Sequence, residues 1–241
     1  MFDLKVLMII PAYNEEESIL HTVQGIIDYR KNVDFQLDYL VINDGSTDST
    51  KQILIQNKLN AVHLVQNLGI GGAVQTGYKY ALDNDYDVAV QFDGDGQHDI
   101  QSLNSLIQPI LVGQADMVIG SRFVGETLSE FQTSFMRRFG IGVISNMIKL
   151  TTGIRIWDTT SGYRLGNKKV IAQFARRYPT KYPEPESSVH LIKQNFKIVE
   201  ASANMFERAG GVSSITPFKS IRYMVEVCSS ILIASLMKEG E

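Results

Sequence analysis

Hydrophobic positions alternate between two periods along the first half of the chain. Leu4–Ile10 is a continuous apolar run that reads as a buried strand, and Glu15–Arg30 sets Ile19, Val23, Ile26 and Ile27 at helical spacing. Leu37–Ile42 reads as a second strand, Asp48–Asn60 as a helix, Ala61–Val65 as a strand, Gly71–Asp83 as a helix and Asp87–Phe92 as a strand. Ile100–Val112 returns to helical spacing and Asp116–Ile119 is a short strand. Strands alternating with helices predict an α/β fold, with a mostly parallel central sheet and helices on both faces. Ligands of such sheets gather at the carboxyl ends of the strands.

The pattern loosens in the second half. Phe135–Leu150 predicts a helix in which Arg137 and Arg138 sit among apolar residues. Thr159–Leu165 predicts a short strand, Asn167–Arg177 a helix, Tyr178–Pro185 a proline-rich loop, Ser187–Gln194 a helix and Ile198–Phe206 an extended segment. Pro217 opens a last helix, at a position where proline is tolerated. Tyr223–Met237 is strongly apolar, but Glu226 interrupts it and it is too short to span a bilayer. The apolar N-terminus stops at Pro11 and lacks the flanks of a signal peptide, so a cytosolic protein is expected.

Composition narrows the partners more than the fold. With 241 residues and 44% hydrophobic content the chain can bury a substantial core. Its net charge of −3 gives no global basic field, which argues against nucleic acid as a partner. Any anionic ligand must then be met by local arginines, backbone amides or a metal. Cys228 is the single cysteine, which excludes an internal disulfide and fits a reducing compartment.

The candidate chemistry collects after the predicted strands. Asp93 and Asp95, separated by Gly94 in VQFDGDGQHDI, repel one another unless a cation or hydrogen bonds offset the charge. A solvated turn is the plain alternative. Spacing excludes an EF-hand loop, because counting from Asp93 puts His98 at the glycine position and Asn104 at the terminal glutamate position. Hard oxygen ligands at a strand end suit Mg²⁺ or Mn²⁺, which keep waters and bridge to phosphates. Asp44 occupies a similar place after the second strand, with helix capping before Ser49 as its structural alternative. The glycines of NLGIGG match neither GxGxxG nor GxxxxGK[ST], and a turn leading into a helix is their structural alternative. His98 reads as a neighbour of the acidic pair, and His21, His63 and His190 have no site-like spacing.

Taken in order, PAYNEEESI, VINDGSTDST, NLGIGG, the acidic pair, GSR, SGYR and ERAGG form a set that resembles the family-two inverting glycosyltransferases of GT-A fold. The set is most similar to the branch that moves a sugar onto a polyprenyl phosphate, as dolichol-phosphate mannose synthases do. The resemblance implies one catalytic domain over 1–241, with a nucleotide-sugar-binding half at 1–122 and an acceptor-binding half at 123–241. It implies that Pro11, Ala12, Tyr13, Glu15 and Asp44 hold base and ribose, Asp44 by accepting the N3–H of uracil. Gly69, Gly71 and Gly72 would let backbone approach the nucleotide, with Gly94 in the same lining. Asp93 and Asp95 would hold Mg²⁺ or Mn²⁺ on the donor diphosphate, with Gln97 as a third ligand or just behind.

The same resemblance implies transfer of a hexose or N-acetylhexosamine, UDP-linked, to undecaprenyl phosphate, for cell-surface polysaccharide. Arg122 and Arg164 would stabilise charge at the reacting phosphates. Arg137, Arg138, Ser161 and Arg208 would position an acceptor phosphate that needs little deprotonation. Snorkelling on an amphipathic helix is the alternative for the helix arginines. Glu184 and Glu186 would read sugar hydroxyls, act as base or simply line a polar loop, and Asp158 is structural or lines the acceptor site. Transfer to a saccharide hydroxyl, with one of these carboxylates as base, is the competing reading. Val212-Ser213-Ser214 departs from the lysine that often follows the ER element. A lipid acceptor would require docking on the inner face of the membrane through Phe135–Leu150 and Tyr223–Met237, or through a small membrane-protein partner. Core packing or homo-oligomer contact is the alternative for the last helix.

Overall fold

A computed structural model describes residues 4–125, 135–206 and 217–237, with the side chains of 135–137 and 217–222 outside that description. Among the described residues the strands are β1 (Lys5–Ala12), β2 (Gln36–Asn43), β3 (Ala61–His63), β4 (Val88–Gln91), β5 (Met117–Ser121), β6 (Arg164–Asn167) and β7 (Ile198–Ser202). The helices are α1 (Ile19–Tyr29), α2 (Thr50–Gln56), α3 (Gly69–Asp83), α4 (Leu103–Leu111), α5 (Phe135–Thr152), α6 (Lys168–Arg176), α7 (Pro183–Lys193) and α8 (Pro217–Leu236).

The strands form one mixed sheet in the order β3-β2-β1-β4-β6-β5-β7. β1 pairs in parallel with β2 and β4, β2 with β3, and β5 with β7, while β6 runs antiparallel between β4 and β5. Side chains of a strand alternate between faces. From β1, Leu7 and Ile9 enter a core beneath α3, α5, α6, α7 and α8, and Val6, Met8 and Ile10 enter a second core against α1 and α4. The first core carries an aromatic trio, with Phe174 5.0 Å from Tyr78 and 4.8 Å from Tyr178 between ring centroids.

Three differences from the sequence reading have local causes. The proline-rich loop ends early because Pro183 and Pro185 fall in the first turn of α7, where a missing N–H costs nothing. The helix expected over Ile100–Val112 begins as a 3₁₀ turn at Ile100–Ser102, capped where Asp99 accepts the Gln101 N–H. The strand expected over Thr159–Leu165 starts only at Arg164, and Asn167 ends it by accepting two N–H groups at the start of α6.

Candidate active site

β1, β2, β4 and β5 deliver their following loops to one edge of the sheet, and hydrogen bonds clip those loops together. Pro11 and Ala12 are buried at the end of β1, and Tyr13 is exposed at the rim. Asn14 donates its N–H to Ser46 Oγ at 3.1 Å and accepts the Thr47 N–H at 2.8 Å. The Glu15 N–H reaches Thr50 Oγ1 at 2.9 Å, and the Glu15 carboxylate accepts from Ser18 Oγ.

Asp44 is buried, and its Oδ1 accepts the Leu68 N–H at 2.7 Å. It therefore joins the loop after β2 to the start of α3. The cap ahead of α2 falls to Asp48, which accepts the Thr50 N–H, so Asp44 is not the capping residue. In α3, Gly69 has a left-handed φ of 76°. Gly71 faces the protein itself: a Cβ there would lie 2.2 Å from the Pro179 carbonyl oxygen. Its glycine answers to the close approach of the loop backbone at Pro179 and Thr180. A Cβ on Gly72 would meet the Leu68 side chain.

The acidic turn lies against the β1 loop. Gly94 accepts from Thr22 Oγ1 at 3.2 Å, and a Cβ on it would sit 3.1 Å from the Pro11 carbonyl oxygen. Asp95 is buried and accepts the Gln97 N–H at 3.1 Å. The Gln97 side-chain amide donates to the Phe206 carbonyl at 3.4 Å. Asp93 is about a third exposed and meets His98 Nε2 at 3.0 Å. Among the described residues no three His, Cys, Asp or Glu side chains gather to hold a metal alone. Two carboxylates fit Mg²⁺ or Mn²⁺ completed by diphosphate and water, the arrangement such cations commonly take with phosphate substrates.

The antiparallel insertion of β6 builds the other wall. Arg164 pairs with Gln91 across the ladder, so the segment before β6 lies beside the turn after β4. Ser161 donates to the Gly120 carbonyl at 2.6 Å and is buried. Arg164 is buried too, donating to the Ser161 and Glu184 carbonyls and to the Ser187 and Ser188 hydroxyls. The structure thus uses this arginine to fasten SGYR to α7 rather than to present a cation at the surface.

Arg122 is likewise engaged. Its Nε and one terminal nitrogen meet the Asp158 carboxylate at 2.8 and 2.7 Å, and it also donates to Thr160 Oγ1. Asp158 is fully buried, so it is not placed to act as a base toward solvent-borne acceptor. Glu200 on β7 holds this loop by accepting the Trp157 and Asp158 N–H groups, each at 2.7 Å.

Of the remaining acceptor-side candidates, Glu184 is closest in sense to the acidic turn. Burial raises its pKa above the usual carboxylate range, Arg164 opposes that shift and Asp93 adds to it. Glu186 points to the opposite side of α7, where it senses Ser230 of α8 and Arg177, and burial raises its pKa as well. Arg138 is exposed on α5. The Arg137 side chain and Arg208 lie outside the described residues. The sequence reads His98 as a neighbour of the acidic pair, which is where it lies, but gives no role to Gly162 or Glu200. The pairing of QH with the acidic pair was a usable signal for His98, whereas the other two depend on strand order.

The sheet, its edge of clipped loops and the acidic turn define a GT-A type of sugar-nucleotide fold, and comparison with solved structures agrees. Glucosyl-3-phosphoglycerate synthase from Mycobacterium tuberculosis, in complex with UDP, superposes with a TM-score of 0.66 over 98% of this chain and 82% of that one, at 17% identity. A profile described as Glycosyl transferase family 2 matches residues 8–174. The chain belongs to glycosyl transferase family 2 and is a glycosyltransferase. It is 31% identical to the UDP-N-acetylglucosamine–dolichyl-phosphate N-acetylglucosaminyltransferase of Methanococcus voltae, over 82% of this chain and 83% of that protein. It is 28% identical to the polyprenol monophosphomannose synthase of Mycolicibacterium smegmatis, over 88% and 81% respectively.

Proposed function

We propose that the protein transfers a hexose or N-acetylhexosamine from a UDP-linked donor to a polyprenyl phosphate such as undecaprenyl phosphate, with inversion, for cell-surface polysaccharide. The observation that carries this reading is that relatives spanning more than four-fifths of both chains bear the names of dolichyl- and polyprenyl-phosphate sugar transferases. The chain's division of labour, with 1–122 on the donor and 123–241 on the acceptor, is part of the same proposal.

Asp44 and the Pro11–Glu15 turn would receive base and ribose, and Asp93 and Asp95, with Gln97 beside them, would hold Mg²⁺ or Mn²⁺ on the diphosphate. A bound divalent cation offsets the negative charge that develops on the departing phosphate. Arg122 keeps the loop that follows β5 in place through Asp158, and Arg164 sets SGYR and α7 against the acidic turn. A phosphate acceptor is already ionised, so its remaining need is to be placed.

The acceptor-side surface suits a lipid at a membrane. From Phe135 to Trp157 the sequence carries Arg137, Arg138, Lys149 and Arg155 and no Asp or Glu. Phe139, Leu150 and Trp157 are exposed there, with the Arg155 guanidinium stacked 3.9 Å from the Trp157 ring centroid. A groove of about 330 Å³ between α5 and α8, lined by Val143, Met147, Met224, Val225 and Leu232, matches an isoprenoid chain in character. Among the described residues no helix is long and apolar enough to cross a membrane, so docking rather than spanning is the proposed mode, at the inner face.

One observation favours the competing hydroxyl acceptor: Glu184 keeps partial exposure while burial, and to a lesser extent Asp93, raises its pKa. Glu184→Gln separates the two. With a phosphate acceptor, turnover falls less than about tenfold, whereas loss of a general base costs about 100-fold or more. A loss of that larger size, in a folded variant, would move the assignment to a saccharide hydroxyl.

A further inference from the structure

Asp93 is held from two sides by residues outside the acidic pair. On one side is His98, whose Nε2 lies 3.0 Å from Asp93 Oδ2. A carboxylate only accepts, so this nitrogen carries the hydrogen and donates it. The ring is buried, with centroids 5.4 Å from Phe92 and 5.0 Å from Tyr163, and its Nδ1 has no hydrogen-bond partner. The packing therefore fixes the ring by shape and leaves Asp93 as the one polar group it serves. An isolated backbone bridge from His98 to Met205, and the Phe206 N–H donated to the Gln97 carbonyl at 2.8 Å, pin the same turn to the chain beyond β7.

On the other side is Gly162. A Cβ there would lie 2.4 Å from Asp93 Oδ2 and 2.8 Å from Oδ1. Gly162 is not among the residues with positive φ, so its backbone does not demand glycine. Space does, and the group that fills the space is the Asp93 carboxylate.

We propose that His98 and Gly162 are positioning residues that fix the rotation of the Asp93 carboxylate for the donor's divalent cation, which ties cation affinity to the segment before β6. The inference rests on the reading of Asp93 as a metal-holding residue. Groups that orient a metal's ligands typically contribute 10–100-fold to its affinity.

The test is Mn²⁺ binding to the full chain in the presence of UDP, followed by calorimetry or by the electron paramagnetic resonance signal of free Mn²⁺. His98→Phe removes the donor and Gly162→Ala fills the seat, and each is expected to weaken Mn²⁺ by about 10–100-fold. His98→Gln, whose amide still donates, is expected to recover part of the loss. Circular dichroism and melting temperature confirm folding, and Gly162→Ala decides the matter if His98→Phe does not fold. If Asp93→Asn weakens Mn²⁺ while folded His98→Phe and Gly162→Ala bind it as the parent does, the positioning role is overturned. If Asp93→Asn also leaves Mn²⁺ affinity unchanged, the metal reading falls and this inference with it.

Discussion

Asp158 shows how a residue's surroundings decide between roles that its chemistry leaves open. A carboxylate ahead of SGYR is a reasonable base on paper. In the fold it is fully buried, gripped by Arg122 through two nitrogens and by the backbone N–H of the same residue at 3.0 Å. Removing one partner of such a pair leaves a buried charge uncompensated. Asp158→Ala is therefore expected to cost about 3–5 kcal/mol in stability, seen as a lowered denaturant midpoint. A variant with the parent's stability and no turnover would instead give Asp158 a role at the reacting atoms. The placement of Asp44, Asp93 and Asp95 after strands was legible in the sequence, because periodicity sets where those strands end. The contacts of Arg164 and Gly162 were not legible, because their partners, Glu184 and Asp93, are met only through the order of strands.

At the scale of elements, the alternating first half was readable because each apolar run has one period and each is bounded by turn residues. β6 was not, since nothing local in Arg164–Asn167 says that it will run antiparallel between β4 and β5. Yet this insertion brings SGYR to the acidic turn. The packing of α7 on α8 gives a second element-scale result. Glu186 is half-buried against α8, and burial raises its pKa while Ser230 and Arg177 oppose the rise. A carboxyl whose pKa is raised on folding binds its proton more tightly in the folded state, so ionising it costs stability as pH rises from the ordinary carboxylate value through the folded one. Glu186→Gln should therefore be more stable than the parent at pH 7, with the difference vanishing in acid below the ordinary carboxylate range. Unfolding titrations at both pH values check this, and equal stability of the two proteins at pH 7 would contradict it.

At the scale of the whole molecule, a protein of net negative charge carries one long run of sequence without acidic residues. The run from Phe135 to Trp157 combines basic residues with exposed Phe139, Leu150 and Trp157. If this run docks on an anionic bilayer as proposed, its attraction has an electrostatic part that salt screens and an apolar part that salt does not. Sedimentation with vesicles of anionic phospholipid should carry the protein down at low salt and less of it at high salt. A double variant, Leu150→Glu with Trp157→Glu, should stay in solution at either. A double variant that sediments like the parent would place the docking surface elsewhere.

The central claim concerns where the sugar goes. The direct measurement supplies the purified protein with radiolabelled UDP-hexose or UDP-N-acetylhexosamine, Mn²⁺ and undecaprenyl phosphate, then extracts the lipid. The account predicts that label enters the organic phase as a sugar on polyprenyl phosphate. It also predicts that Asp93→Asn reduces that signal by about 100-fold or more, the equivalent of roughly 3 kcal/mol of transition-state stabilisation. Label that reaches saccharide in the aqueous phase and never the lipid, from a protein that turns over its donor, would contradict it.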